Sequence, residues 1–373
     1  MKHTIIRSRE QLSFKSFAFK MFTLNSLRSC CSSSHPSVLG KTLLGLLPAL
    51  SYGCTAEGFS PSAGTAEHKA LIRMSGKITQ EDISSLDIFV FKDDDLRILD
   101  CYQRVDKAED WDGNVCSSTG DRIISICANS RIEADEWPWI RSRGSLEKMA
   151  SSLELERRNA PFMSGEARVT AKESRPISAE VSLRPMISEI YLRSISCDFT
   201  GKPYAGEEIT DAKVYLTNIN AECGMLEDGD IRPRRVINAG RLCKEDLELF
   251  EDPGIVCQEL GRNIGKLWLK PEIKLWCYPS NAYEASIGTP FSRLVIEGKI
   301  SGQTYYWPIN INREDGNTGI DRNRQYIYDI KITRKGSTDP DIPVEAEDME
   351  IKFKNQNLQQ KKALLLILQM VLL

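Results

Sequence analysis

One cysteine in this chain is placed for chemistry. Leu43 to Cys54 reads Leu-Leu-Gly-Leu-Leu-Pro-Ala-Leu-Ser-Tyr-Gly-Cys, an apolar run that ends on a thiol. The run is too short for a permanent spanning helix, which needs about 20 apolar residues. Basic residues precede it, and that order of charged flank, apolar segment and processing site is the order of an export signal. Leu50-Ser51-Tyr52-Gly53-Cys54 has the form of a bacterial lipobox, although Tyr52 stands where a small residue is more usual. Such a box implies cleavage before Cys54, with lipid on its thiol and on its new amino group. An ordinary secretory signal with an incidental cysteine is the other reading of these residues.

Other reactive constellations are thin. Past Cys54 there is one histidine, His68, so a Ser-His-Asp or Cys-His arrangement lacks a base. A multi-histidine metal site is excluded by the same count. Gly261-Arg262-Asn263-Ile264-Gly265-Lys266 is one residue short of a phosphate loop, and Leu267 replaces its Ser/Thr. Asp93-Asp94-Asp95 and Asp110-Trp111-Asp112-Gly113-Asn114 have oxygen density for calcium but not the spaced ligand set, so they read as solvated hairpin tips. Trp137-Pro138-Trp139 in a loop could form a sugar platform. Tyr305-Tyr306-Trp307 alternates as a strand should, which favours packing. The eight cysteines after Cys54 form no C-x-x-C pair. Export permits disulfides, yet Cys127 and Cys197 sit in strand-like runs that suit buried thiols. Paired carboxylates for glycoside hydrolysis would be distant in sequence and stay open. No cofactor and no metal site is expected.

The rest of the chain falls into segments that would position a surface protein. Residues 1–53 form the leader and carry net +6, so the remainder of this chain of net −3 is at −9. An acidic body without a basic block argues against nucleic acid. Residues 54–68 are small, polar and turn-prone, as a tether should be. Strands begin at Ser85–Phe91, turn at Lys92–Asp95 and return over Leu96–Val105. Arg122–Ala128 is apolar on both faces and reads as central. The spacing of Leu146, Met149, Ala150 and Leu153 predicts a helix over Ser145–Leu155, capped by Ser145. Strands near Gly165–Ala171 and Ile177–Leu183 close this half. Tyr305, Trp307, Ile309 and Ile311 then share one strand face, and Tyr326, Tyr328, Ile330 and Ile332 another. Residues 221–270 form a long insertion, with Glu245–Phe250 as a helix candidate. The fold class predicted is all-β, with antiparallel sandwiches over 69–184 and 185–354 and an atypical apolar tail over 355–373. A leucine run without β-branched rhythm is a poor strand, so the tail reads as a peripheral apolar helix or as out-of-frame sequence before a donated strand.

Several segments in this order resemble the fimbrillin superfamily of Bacteroidota, in its fimbrial anchor-subunit branch. They are Leu86–Phe91, Ile187–Leu192, Lys213–Asn218, Trp276–Asn281, Thr289–Gly298, Tyr305–Ile309 and Asp321–Tyr326, within a likeness from about Lys69 to Phe353. The resemblance implies two tandem transthyretin-like β-sandwich domains on a lipoprotein, anchored to the outer membrane through Cys54. It implies fimbrial subunits as partners and assembly by strand exchange, in which a groove in one subunit accepts a strand of another. Structural subunits of that family are trimmed after an arginine; Arg73 has a suggestive position. A surface lipoprotein that binds glycan or host protein without polymerising, and a secreted glycoside hydrolase, are the alternatives.

Overall fold

The computed structural model describes residues 69–74, 83–107, 114–132, 137–172, 180–281, 290–313, 319–342, 344, 348–358 and 364–371. Cys54, His68, the leader and the tether lie outside the described residues.

The first half supplies β1 (Lys69–Met74), β2 (Leu86–Lys92), β3 (Leu99–Val105), β4 (Asn114–Ser118), β5 (Gly120–Ala128), β6 (Ala150–Ser152), β7 (Met163–Ala171) and β8 (Glu180–Pro185). β2 is buried on both faces from Leu86 to Phe91, which explains an apolar run broken only by Asp87. Leu86, Ile88 and Val90 face one core with Ile124, Ile126, Met163, Val181 and Leu183. Phe89 and Phe91 face a second core with Trp137, Ile140, Leu146 and Phe162. β5 is central between β2 and β7, as its two apolar faces predict.

The second half supplies β9 (Ser188–Cys197), β10 (Thr210–Thr217), β11 (Ile219–Asn220), β12 (Glu222–Gly224), β13 (Val236–Ile237), β14 (Cys257–Glu259), β15 (Ile273–Cys277), β16 (Arg293–Ile300), β17 (Gln303–Asn310), β18 (Arg324–Ile332) and β19 (Met349–Asn357). Sheet β14-β10-β16-β17 packs on sheet β15-β9-β18-β19. The period-two residues meet between them: Tyr305, Trp307, Ile309, Tyr326, Tyr328, Ile330 and Ile332 are all buried. One ladder departs from the antiparallel expectation, since β9 and β18 run parallel.

Three expectations are corrected. The helix predicted over Ser145–Leu155 is a short α1 (Arg143–Lys148), capped by Ser142. Residues 150–152 leave it to pair with β12, because a tertiary ladder outweighs weak local preference. The second helix, α2 (Lys244–Leu247), is also shorter than predicted. The tail is strand where one expectation is a helix: β19 continues to Asn357, and β20 (Leu364–Val371) is a strand.

At Gly165 the backbone of β7 passes β8 so closely that an added Cβ would collide with the Ser182 carbonyl oxygen. Gly165→Ala is therefore expected to destabilise the chain by about 1–3 kcal/mol, measured by urea unfolding.

Candidate assembly site

The first sandwich is completed by a strand from the far end of the chain. Its eight-stranded order is β3-β2-β5-β7-β8-β20-β1-β4. The first half of β20 pairs with β8, from Leu364↔Leu183 to Ile367↔Glu180. The second half pairs with β1, from Met74↔Leu368 to Leu71↔Val371. Among the described residues no ladder joins β8 to β1 directly; β20 links them, Leu364–Ile367 on β8 and Leu368–Val371 on β1, and these two strand edges form the slot it occupies. The slot backs onto the core through Val181 and Leu183 of β8 and Val115 of β4, all buried.

The two sandwiches are joined by a polar junction beside this slot. Arg322 is mostly buried, and burial pushes its guanidinium down to about 10. Its Nε donates to the Pro185 carbonyl at 3.1 Å, and Nη1 donates to that of Glu227 at 3.0 Å. Nη2 reaches the carbonyls of Ser164 at 3.0 Å and Arg184 at 2.7 Å, and the Ser164 hydroxyl at 3.0 Å. One side chain thus ties the adjacent ends of β7 and β8 to the loop before β18. The β6–β12 ladder makes a second tie. A third is buried: the Tyr278 hydroxyl donates to Glu156 Oε1 at 2.7 Å and lies 2.7 Å from Ser151 Oγ. The Phe162 amide donates to Glu156 Oε2 at 2.9 Å. Burial pushes the Glu156 carboxyl up to about 7 and the Tyr278 phenol well above its ordinary value. Sequence reasoning missed these groups; the one signal was Arg322 inside the Asp321–Tyr326 segment.

The candidates named from sequence scatter. Cys54 and His68 are outside the described residues. Asp94 Oδ1 accepts the amides of Leu96 at 3.1 Å and Arg97 at 2.8 Å, so this acidic turn is a closed hairpin tip. Residues 108–113 of the other turn lie outside the described residues, as does much of its oxygen set. No His/Cys/Asp/Glu group able to hold a metal occurs among the described residues. The 261–266 loop holds buried Ile264 against Ile209, and no helix follows to receive a phosphate. Trp137 is core, whereas Trp139 is exposed. Cys127, Cys197, Cys223, Cys243, Cys257 and Cys277 are free thiols.

This architecture defines a fold class, chains of two tandem β-sandwiches. A Bacteroides eggerthii protein assigned to cell adhesion superposes with a TM-score of 0.56 at 14% identity, over 79% of this chain and 98% of the other. A Parabacteroides distasonis protein with the same assignment gives 0.55 at 14% identity, over 79% and 100%. Another from that organism gives 0.51 at 15% identity, over 80% and 99%. At such identity the likeness is one of fold. No protein-family model and no curated protein matches the sequence.

The junction carries a pH signature. The folded Glu156 carboxyl sits above its ordinary 4.5, at about 7, so its contribution to stability is complete below 4.5 and is lost as pH rises through 7. Asp100, Asp228 and Asp329 are held below their ordinary value and act in the opposite sense, in more acid solution. Wild type should therefore lose on the order of 2–3 kcal/mol relative to Glu156→Gln between pH 5 and pH 8, read from paired denaturant titrations.

Proposed function

We propose that this chain is a non-enzymatic surface subunit of fimbriae, held to the outer membrane by lipid on Cys54 and assembled by strand exchange. The observation that carries the reading is β20: a strand remote in sequence occupies an interior position of the first sandwich. Its bonds to β8 and β1 are backbone bonds, which a strand of another subunit can make equally well. The shared fold with proteins assigned to cell adhesion supports the same role. The division into sandwiches over 69–184 and 185–354 belongs to this proposal, with the junction at Arg322 holding them together. Fimbrial subunits are then the partners, and adhesion is the outcome.

A chain truncated after Leu358 tests the exchange. It should capture a synthetic peptide of residues 359–373, and mixed with an intact donor it should form ladders that survive mild detergent. A truncated chain that stays monomeric and ignores the peptide would overturn strand exchange. The anchor has its own measurement. Intact mass of membrane-extracted protein should start at Cys54 with added acyl chains, and Cys54→Ala should lose them. Cleavage elsewhere without lipid would leave a secreted subunit.

A further inference from the structure

The outer face of sheet β15-β9-β18-β19 carries a groove of about 490 Å³ that strand exchange does not use. Trp268 forms one margin and is 49% exposed. Tyr191 on β9 lines it too, with the Lys274 ammonium 5.3 Å from its ring centre. Strand register sets a polar row across the floor. Glu272, just before β15, lies level with Arg193 on β9; Asp329 on β18 and Lys352 on β19 continue the row. At about 4.8 Å between strands, four positions span about 14 Å.

A bulge builds the centre of the row. The ladder between β9 and β18 shifts after Leu192↔Tyr328, so Arg193 and Ser194 both stand beside Asp329. Arg193 Nε donates to Asp329 Oδ1 at 3.0 Å, and its Nη2 donates to Oδ2. Ser194 Oγ donates to Oδ1 at 2.5 Å. Bulges re-aim side chains and are enriched beside functional sites. Here one produces a fixed planar array of donors and acceptors beside two aromatic rings.

We propose that this groove binds a saccharide chain. A sugar ring has an apolar C–H face that stacks on indole or phenol and a rim of hydroxyls that pairs with planar polar groups. The lining supplies both. Its charges nearly balance, with Arg193, Lys270 and Lys352 against Glu272 and Asp329, and with Lys274 beside Tyr191 paired to Glu189 at 3.6 Å. That balance suits hydroxyls better than a polyanion, which demands an uncompensated basic footprint. None of these residues lies on β1, β8 or β20, so the site is independent of the assembly reading.

The full chain, as monomer, is screened on an array of glucan, mannan and chitin oligomers together with acidic galacturonan and chondroitin fragments. Titration followed by tryptophan fluorescence and by saturation-transfer NMR then ranks the hits. At least one neutral oligomer should bind, and Trp268→Ala and Tyr191→Ala should each weaken it on the order of tenfold. Because Trp268 is half exposed, its variant should keep the wild-type melting temperature, which separates lost binding from lost folding. Absence of binding to every probe would overturn the proposal. So would binding untouched by Trp268→Ala, or binding confined to the acidic fragments and abolished by salt.

Discussion

Buried backbone amides and carbonyls must be paired, and in the first sandwich the partner comes from the opposite end of the chain. β8 and β1 are not paired with each other, and β20 links them by pairing one half with each. Each ladder bond is worth about 0.5–1.5 kcal/mol net, but a buried group left unpaired costs more than a bond contributes. The slot is therefore strongly driven to be filled. It is weakly selective about the occupant's register. Leu364 to Ile367 is apolar at every position, and a strand without alternation does not specify which face turns inward. Strong pairing combined with weak register is the condition under which one strand can replace another.

Supplying that strand from within the same chain is entropically slow. The second sandwich must lie between β8 and β20 along the sequence, so the closing contact is non-local and forms late. In the folded chain the junction holds the two sandwiches together. Arg322 donates to the Glu227 carbonyl and to carbonyls and one hydroxyl at the ends of β7 and β8. Those carbonyls sit where β7 stops pairing with β8 after only Met163↔Pro185 and Ser164↔Arg184. A single guanidinium thus satisfies backbone carbonyls where the short β7–β8 ladder ends.

What was legible in the sequence follows from where the information is local. β2, β5, β17 and β18 could be read because each buries a face at period two or buries both faces. The short ladder at 150–152 could not, since its partner at 222–224 is distant and the local spacing looks helical. β20 could not, since its strand character comes from the slot and not from its own residues. Asp87 illustrates a third blindness. It lies inside an apolar run yet is fully buried, bonded by the Tyr102 hydroxyl at 2.9 Å and pushed up to about 6 by burial. Its partners sit on a neighbouring strand, at an offset no sequence motif announces. Cys54 is the reverse case: the expectation of lipid there rests on local sequence alone, and the residue lies outside the described residues.

The same split between backbone and side chains separates the two surfaces. Assembly through a ladder uses amides and carbonyls, which every residue carries, so it constrains side chains only where they face the core. Outer-face positions such as Tyr191, Arg193, Asp329 and Lys352 carry no such duty. Their cost to stability is small, because exposed ion pairs contribute little. On the proposed reading, a subunit built this way changes what its outer sheet face recognises without changing how it joins its neighbours. The bulge at Arg193 fits that division: it disturbs the pairing of β9 with β18 at one position and leaves Ile190, Leu192 and Ile195 in the core. A sheet that tolerates an extra residue in an interior strand, while keeping its inward face intact, has spent its freedom on the outward one.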